Sequence, residues 1–271
     1  MKRRAAAAAF ILALLPVILI SGCARKPSEA RTSLTLAGST SVQPFAEMLA
    51  EDYAKRYPDR PPVSVQGGGS SAGARAALTG AAQIGMLSRS LGQGESELTP
   101  VVIARDAIAL VVHPSNSVGG LTSAQVRSIF SGAVMEWSAV GGPAGKIHVV
   151  SREEGSGTRT AFDELVMKGE GVLPRAIVQD SNGAVRETVA GDRMATGYIS
   201  LGLVDRSVKA LTVDGVAPAV ETCRSGEYAL IRPFLFVVKG QMGSDVRAFV
   251  DYVLGEDGQK ILMDEGLLPA R

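Results

Sequence analysis

Short apolar runs alternate with helix-period segments along most of the chain. Residues 34–37 predict a strand. Val42, Phe45, Leu49 and Tyr53 then recur at intervals of three and four, the signature of a helix packed by one face. Pro58, Pro61 and Pro62 end it. Residues 63–65 predict a second strand, followed by three glycines and an Ala-rich helix over about 72–79. Residues 84–87 predict a third strand, and 101–113 hold a long β-branched stretch. Residues 147–150 form the next strand, with Phe162, Leu165 and Val166 on the helix after it. The segments 197–201, 211–216 and 233–238 complete the strands, and Phe249, Val253 and Leu254 mark a terminal helix. Strands that alternate with helices predict an α/β fold with largely parallel sheets.

A length of 271 residues fits one large domain or two small ones. Hydrophobic residues make up 46% and charged residues 20%, a globular composition that excludes disorder throughout. With 28 basic and 27 acidic residues the formal charge is +1, which gives no nucleic-acid footprint. Two Cys exclude a disulfide-dense scaffold and a Cys-ligated zinc site, and two His leave little for a metal centre. No metal and no cofactor is expected.

The first 22 residues read as a secretory leader. Lys2, Arg3 and Arg4 precede an apolar run that Pro16 interrupts, and Leu19-Ile20-Ser21-Gly22 leads into Cys23. Small residues before a Cys resemble a bacterial lipobox, in which that Cys becomes the lipid-bearing N-terminus. The alternative, an uncleaved anchoring helix, needs a longer run. Cleavage would remove three basic residues and no acidic ones, leaving 25 against 27 and a net charge of −2. Residues 23–33 then form a tether, and Cys223 stands alone as a small buried hydrophobe.

Three turns share one chemistry. Gly38-Ser39-Thr40-Ser41, then the run from Gly67 to Gly73, then the run from Ser151 to Thr158 each follow a strand and open a helix. Each presents Gly and small hydroxyls where helix N–H groups lack internal partners. Such termini favour anions, and Arg152 adds an always-charged fork. Ordinary N-capping explains any single turn; three turns, one with an Arg, favour an anion site at the carboxyl ends of the strands.

Competing motifs are weaker. Gly69-Ser70-Ser71-Ala72-Gly73 fits the G-x-S-x-G elbow, with Ser71 as nucleophile, His148 as base and Asp106 as acid. His148 lies in an apolar strand, however, where a core or edge role is ordinary. A loose dinucleotide fingerprint over Gly67, Gly69 and Ala72 lacks its acidic partner. No phosphate-binding G-x-x-x-x-G-K-[ST] occurs, since Ala74 and Arg75 follow Gly73.

At its three turns the chain resembles the PstS-type phosphate-binding proteins of bacterial phosphate ABC transporters. GSTSVQP, VQGGGSSAG, IGMLSRSL, VSREEGSGTRTAF, QDSNGAVRETVA, GYISLG, VDGVAP and EDGQKILMDEG carry the likeness, in order, from about Leu34 to Leu268. The resemblance implies a periplasmic-binding-protein-like fold of type II: two α/β lobes on a two-strand hinge. Residues 34–110 plus 228–271 would form one lobe and 111–227 the other, with crossovers at 101–113 and before Pro233. It also implies a binding protein, not an enzyme, that hands inorganic phosphate to permease subunits, works as a monomer and is held outside the cytoplasm by lipid on Cys23. The implied phosphate ligands are Thr40, Ser41, Ser70, Ser88, Arg152, Ser156, Gly157 and Thr158, with Glu154 orienting Arg152. Ser88 departs from longer members, which carry an Asp there to take the proton of hydrogen phosphate. Sulfate or molybdate therefore stays open as the ligand. Arg89 is either a second cation or paired elsewhere. Asn182 reads as a helix cap, and Trp137 as packing.

Overall fold

The computed structural model describes residues 33–270. The leader, Cys23 and the tether through residue 32 lie outside the described residues. The chain then runs β1 (Leu34–Gly38), α1 (Gln43–Arg56), β2 (Val63–Gly67), α2 (Ser70–Thr79), β3 (Ile84–Leu87), β4 (Leu98–Val112), β5 (Gly120–Leu121) and α3 (Ser123–Ser131). It continues with β6 (His148–Arg152), α4 (Gly157–Phe162), β7 (Ile177–Gln179), α5 (Asn182–Gly191), β8 (Ala195–Ser200), β9 (Lys209–Ala210) and β10 (Thr212–Val213). It ends with α6 (Val220–Ser225), β11 (Ile231–Lys239), α7 (Ser244–Leu254) and α8 (Glu256–Asp264).

Local chemistry sets these elements. Pro44 in the first turn of α1 lacks only an N–H that would be unpaired there anyway, and Phe45, Leu49 and Tyr53 bury one face. Helix α3 starts on a reciprocal cap: Thr122 accepts from the Gln125 N–H while the Gln125 side chain accepts from the Thr122 N–H. Gly132 closes that helix in the left-handed region. The strand expected over 211–216 shrinks to two residues, because Asp214 and Gly215 take positive φ and turn the chain.

The strand order is β2-β1-β3-β11-β4-β8-β6-β7, with β9 also paired to β4. Neighbours β1 and β2, β1 and β3, β6 and β7, and β6 and β8 are parallel. The expectation of largely parallel sheets needs correcting at the centre: β11 runs antiparallel to β3 and β4, and β4 antiparallel to β8 and β9. The reason lies in β4, a 15-residue strand with two sets of partners. Its first part, through Ala107, pairs with β11; its last five residues, Ile108 to Val112, pair with β8.

The apolar residues follow the same division. One cluster joins Leu36, Phe45, Leu49, Met86, Phe234, Phe236, Phe249 and Leu262. Another joins Ile108, Leu110, Val126, Phe130, Trp137, Phe162 and Tyr198. Phe162 stacks on Tyr198 with ring centroids 4.0 Å apart. Trp137 is fully buried and gives its ring N–H to the Met194 carbonyl, as a packing residue should. Cys223 is buried too, and burial pushes its thiol up to about 11. None of the described helices is long and apolar enough to cross a membrane.

Candidate anion-binding site

The three turns meet. Ser39 N–H bonds the Met86 carbonyl at 2.8 Å, and Gly69 N–H bonds the Gly38 carbonyl at 3.0 Å, which ties the first turn to the second. Ser71 N–H bonds the Gly155 carbonyl at 3.1 Å and ties the second to the third. Gly69 precedes α2 at φ +84°, a backbone state that side chains resist. The closest approach is at Gly157. A Cβ there would lie 2.2 Å from Ser70 Oγ and 2.6 Å from Ser88 Oγ, so only glycine lets α4 abut that serine pair.

Arg152 ends β6 with 1% of its surface exposed. Its Nη2 donates to Thr40 Oγ1 at 3.2 Å and to the Asp180 carbonyl at 2.9 Å, and its Nε donates to the Gln179 carbonyl at 3.1 Å. Its Nη1 is buried and has no hydrogen-bond partner among the described residues. A buried guanidinium donor without an acceptor is costly, so this nitrogen marks where an acceptor is wanted.

The carboxylate on Arg152 belongs to Glu153, which corrects the expectation for Glu154. Both Glu153 oxygens accept from Arg152, each at 3.0 Å, whereas Glu154 is exposed. The backbone turns at Glu153, whose N–H bonds the Gln179 carbonyl and whose carbonyl takes the Ser156 N–H. That turn lays residue 153 along the guanidinium and leaves residue 154 in solvent.

The hydroxyls form a directed chain. Ser39 Oγ accepts from the N–H groups of Ser41 and Val42, at 3.2 and 3.4 Å, so its proton goes to Ser88 Oγ at 2.9 Å. Ser88 keeps its own proton and one lone pair, 3.3 Å from Ser70 Oγ. Ser70 Oγ already accepts from the Ser88 N–H at 3.1 Å. Ser156 caps α4 by accepting from the Arg159 N–H and retains its proton. Ser41 Oγ lies 2.8 Å from Thr158 Oγ1. All eight expected ligand positions are thus near one another, and all but the half-buried Thr40 are buried.

Other readings resolve differently. Arg89 is paired elsewhere, with both guanidinium ends on Glu95 at 2.8 and 2.7 Å. The hydrolase triad is not assembled: Ser71 is bonded through Arg89, the exposed His148 pairs with Asp192 at 2.6 Å, and Asp106 is bound to Arg232. Asn182 is not the cap of α5; Ser181 is. Sequence pattern alone does not single out Arg232 or Ser200, nor the pairing of Asp106 with Arg232. A carboxylate inside the apolar run of β4 was the available signal, because such a charge is buried only with a partner.

A family model described as the PBP superfamily domain matches residues 25–257. A phosphate-binding protein PstS from Bacillus subtilis is 32% identical over 255 residues, which cover 92% of this chain and 84% of that protein. A structure from Clostridium perfringens, described as a phosphate ABC transporter substrate-binding protein with bound phosphate, superposes with a TM-score of 0.86 at 40% identity, covering 88% of this chain and all of that one. An ABC-type phosphate transport receptor from Vibrio cholerae gives a TM-score of 0.73 at 35% identity, covering 87% of this chain and 99% of that one.

Proposed function

This chain belongs to the PstS-type phosphate-binding proteins of the PBP superfamily, and from that membership we propose that it captures inorganic phosphate and delivers it to an ABC transporter for import. It performs no chemistry on the ion and needs no cofactor. The observation that carries the reading is the unpartnered, buried Nη1 of Arg152 beside three hydroxyl-rich turns. A phosphate oxygen supplies the missing acceptor through a charge-assisted hydrogen bond.

The ligands in this proposal are Thr40, Ser70, Ser88, Arg152, Ser156, Gly157 and Thr158, with Ser41 beside them. Two lobes close on the anion, so binding shifts an open–closed equilibrium. Residues 34–110 with 228–271 form the first lobe and 111–227 the second. The change of partners along β4 between Ala107 and Ile108 supports this division. With the Ser88 proton given to Ser70 Oγ, the remaining lone pair of Ser88 takes over from an Asp in accepting the proton of hydrogen phosphate, a proton that sulfate lacks. Outside the described residues, lipid on Cys23 holds the protein as a monomer at the outer face of the membrane.

Calorimetry with phosphate, arsenate, sulfate and molybdate tests the ligand. Phosphate is expected to bind one to one, with sulfate at least about tenfold weaker, the scale of one lost hydrogen bond to a charged group. No heat with phosphate, or tighter binding of sulfate or molybdate, defeats the assignment. Gly157→Ala tests the close approach. Its methyl would overlap Ser70 and Ser88, and overpacking of about 1–3 kcal/mol weakens phosphate about 5- to 150-fold while far-ultraviolet dichroism stays that of the native fold. Wild-type affinity in this variant would show that the turns do not need to meet.

A further inference from the structure

Ser41, Asn182, Ser200, Asp106 and Arg232 form a closed hydrogen-bonded ring whose members are each 2% exposed or less. Asn182 Nδ2 donates to Ser41 Oγ at 2.8 Å, and Asn182 Oδ1 accepts from the Ser200 N–H at 3.1 Å. Ser200 Oγ donates to Asp106 Oδ1 at 2.8 Å. Asp106 Oδ2 accepts from Arg232 Nε and Nη2, at 3.0 and 2.8 Å, and Nη2 returns to Ser41 Oγ at 3.3 Å.

The directions are forced. A backbone N–H can only donate, so the Asn182 carbonyl faces Ser200 and its NH2 faces Ser41. Arg232 also can only donate. Both acceptor positions on Ser41 Oγ are therefore filled, and its one proton is left for Thr158 Oγ1. Ser41 is committed to this junction, which limits what its hydroxyl can give to an anion.

The ring is distributed over the fold in a telling way. Asp106 on β4 and Arg232 on β11 face each other across adjacent paired strands. Ser41 follows β1, whereas Asn182 opens α5 and Ser200 ends β8. Separating the two sides of the molecule would leave Asp106 with Arg232 but break Ser41 from Asn182 and from Thr158.

We propose that this ring is a closure latch, anchored on the two crossing strands, with Asn182 and Arg232 as positioning residues that hold Ser41 against the far lobe. It rests on the reading that the lobes close on phosphate. The latch gives the closed form a share of the population before any anion arrives. Phosphate then meets a cleft already partly assembled, and its apparent affinity rises with that share.

The test is Asn182→Ala in the full chain, read by small-angle X-ray scattering without phosphate and by calorimetry with it. The expected result is a larger radius of gyration than wild type in the anion-free protein, together with about tenfold weaker phosphate binding, as for the loss of one to two buried hydrogen bonds. The ratio of phosphate to arsenate affinity stays at the wild-type value, because no anion contact has changed. An unchanged anion-free radius overturns the latch. Weaker binding at that unchanged radius makes Asn182 a direct ligand instead. Should the alanine variant fail to fold, Asn182→Asp keeps the shape, replaces the donor with an acceptor, and is read by the anion-free radius alone. Wild-type protein that binds no phosphate would refute the transport reading, whereas the radius comparison still decides the latch.

Discussion

Arg152→Ala is expected to weaken phosphate binding by about 30- to 5,000-fold, the loss of about 2–5 kcal/mol that follows truncation of one partner in a buried charge pair. The size of the effect comes from the surroundings. Arg232 is committed to Asp106 and Arg89 to Glu95, so neither is free to replace the missing charge. Arg152 itself is held by the Gln179 and Asp180 carbonyls and by Glu153, which fixes its plane and leaves Nη1 as the spare donor. Arg152→Lys should recover little, since one ammonium cannot hold those carbonyls and also reach the anion as a flat fork does. Calorimetry on both variants checks this, and binding within about fivefold of wild type by the alanine variant would remove Arg152 from the site.

Asp106→Ala should cost about 3–5 kcal/mol of stability by leaving the Arg232 guanidinium buried without its counter-ion. For a chain of this size that lowers Tm by about 10 °C. Burial already pushes Asp106 up and Arg232 down in pKa, each toward its neutral form, and the ion pair opposes both. Replacing both partners with apolar groups, as in Asp106→Leu with Arg232→Met, should regain most of the lost stability, because no charge then needs compensation. A thermal melt within about 2 °C of wild type for the single variant would mean that water reaches Arg232 and that the pair anchors nothing.

Much of the fold could be read from local pattern. The bounds of β3 follow directly from four consecutive apolar positions, and the three anion-friendly turns follow from Gly and hydroxyl residues placed between a strand and a helix. Helix α3 could have been found as well, since Thr122 and Gln125 spell its capping box. Strand direction at the centre was a different matter. That β4 and β11 pair antiparallel depends on residues more than 120 positions apart, and nothing within either strand encodes it. The same limit hid the ring. Asn182, Ser200 and Arg232 each look like ordinary polar residues until the fold brings them together. The choice between Glu153 and Glu154 turned on one backbone turn, which adjacent identical residues cannot reveal.

The position of β11 between β3 and β4 governs the order in which the emerging polypeptide can consolidate. The stretch from Ala107 to Leu230 is continuous and supplies nearly all of its own apolar cluster, so it can collapse as soon as it is made. The amino-terminal segment has no such option. Its sheet stays open along β3 until the last forty or so residues arrive, and its cluster lacks Phe234, Phe236 and Phe249 until then. During synthesis those early strands therefore present an unpaired, apolar margin, the kind that invites wrong pairing between neighbouring chains. The component that is made first is the one that is finished last.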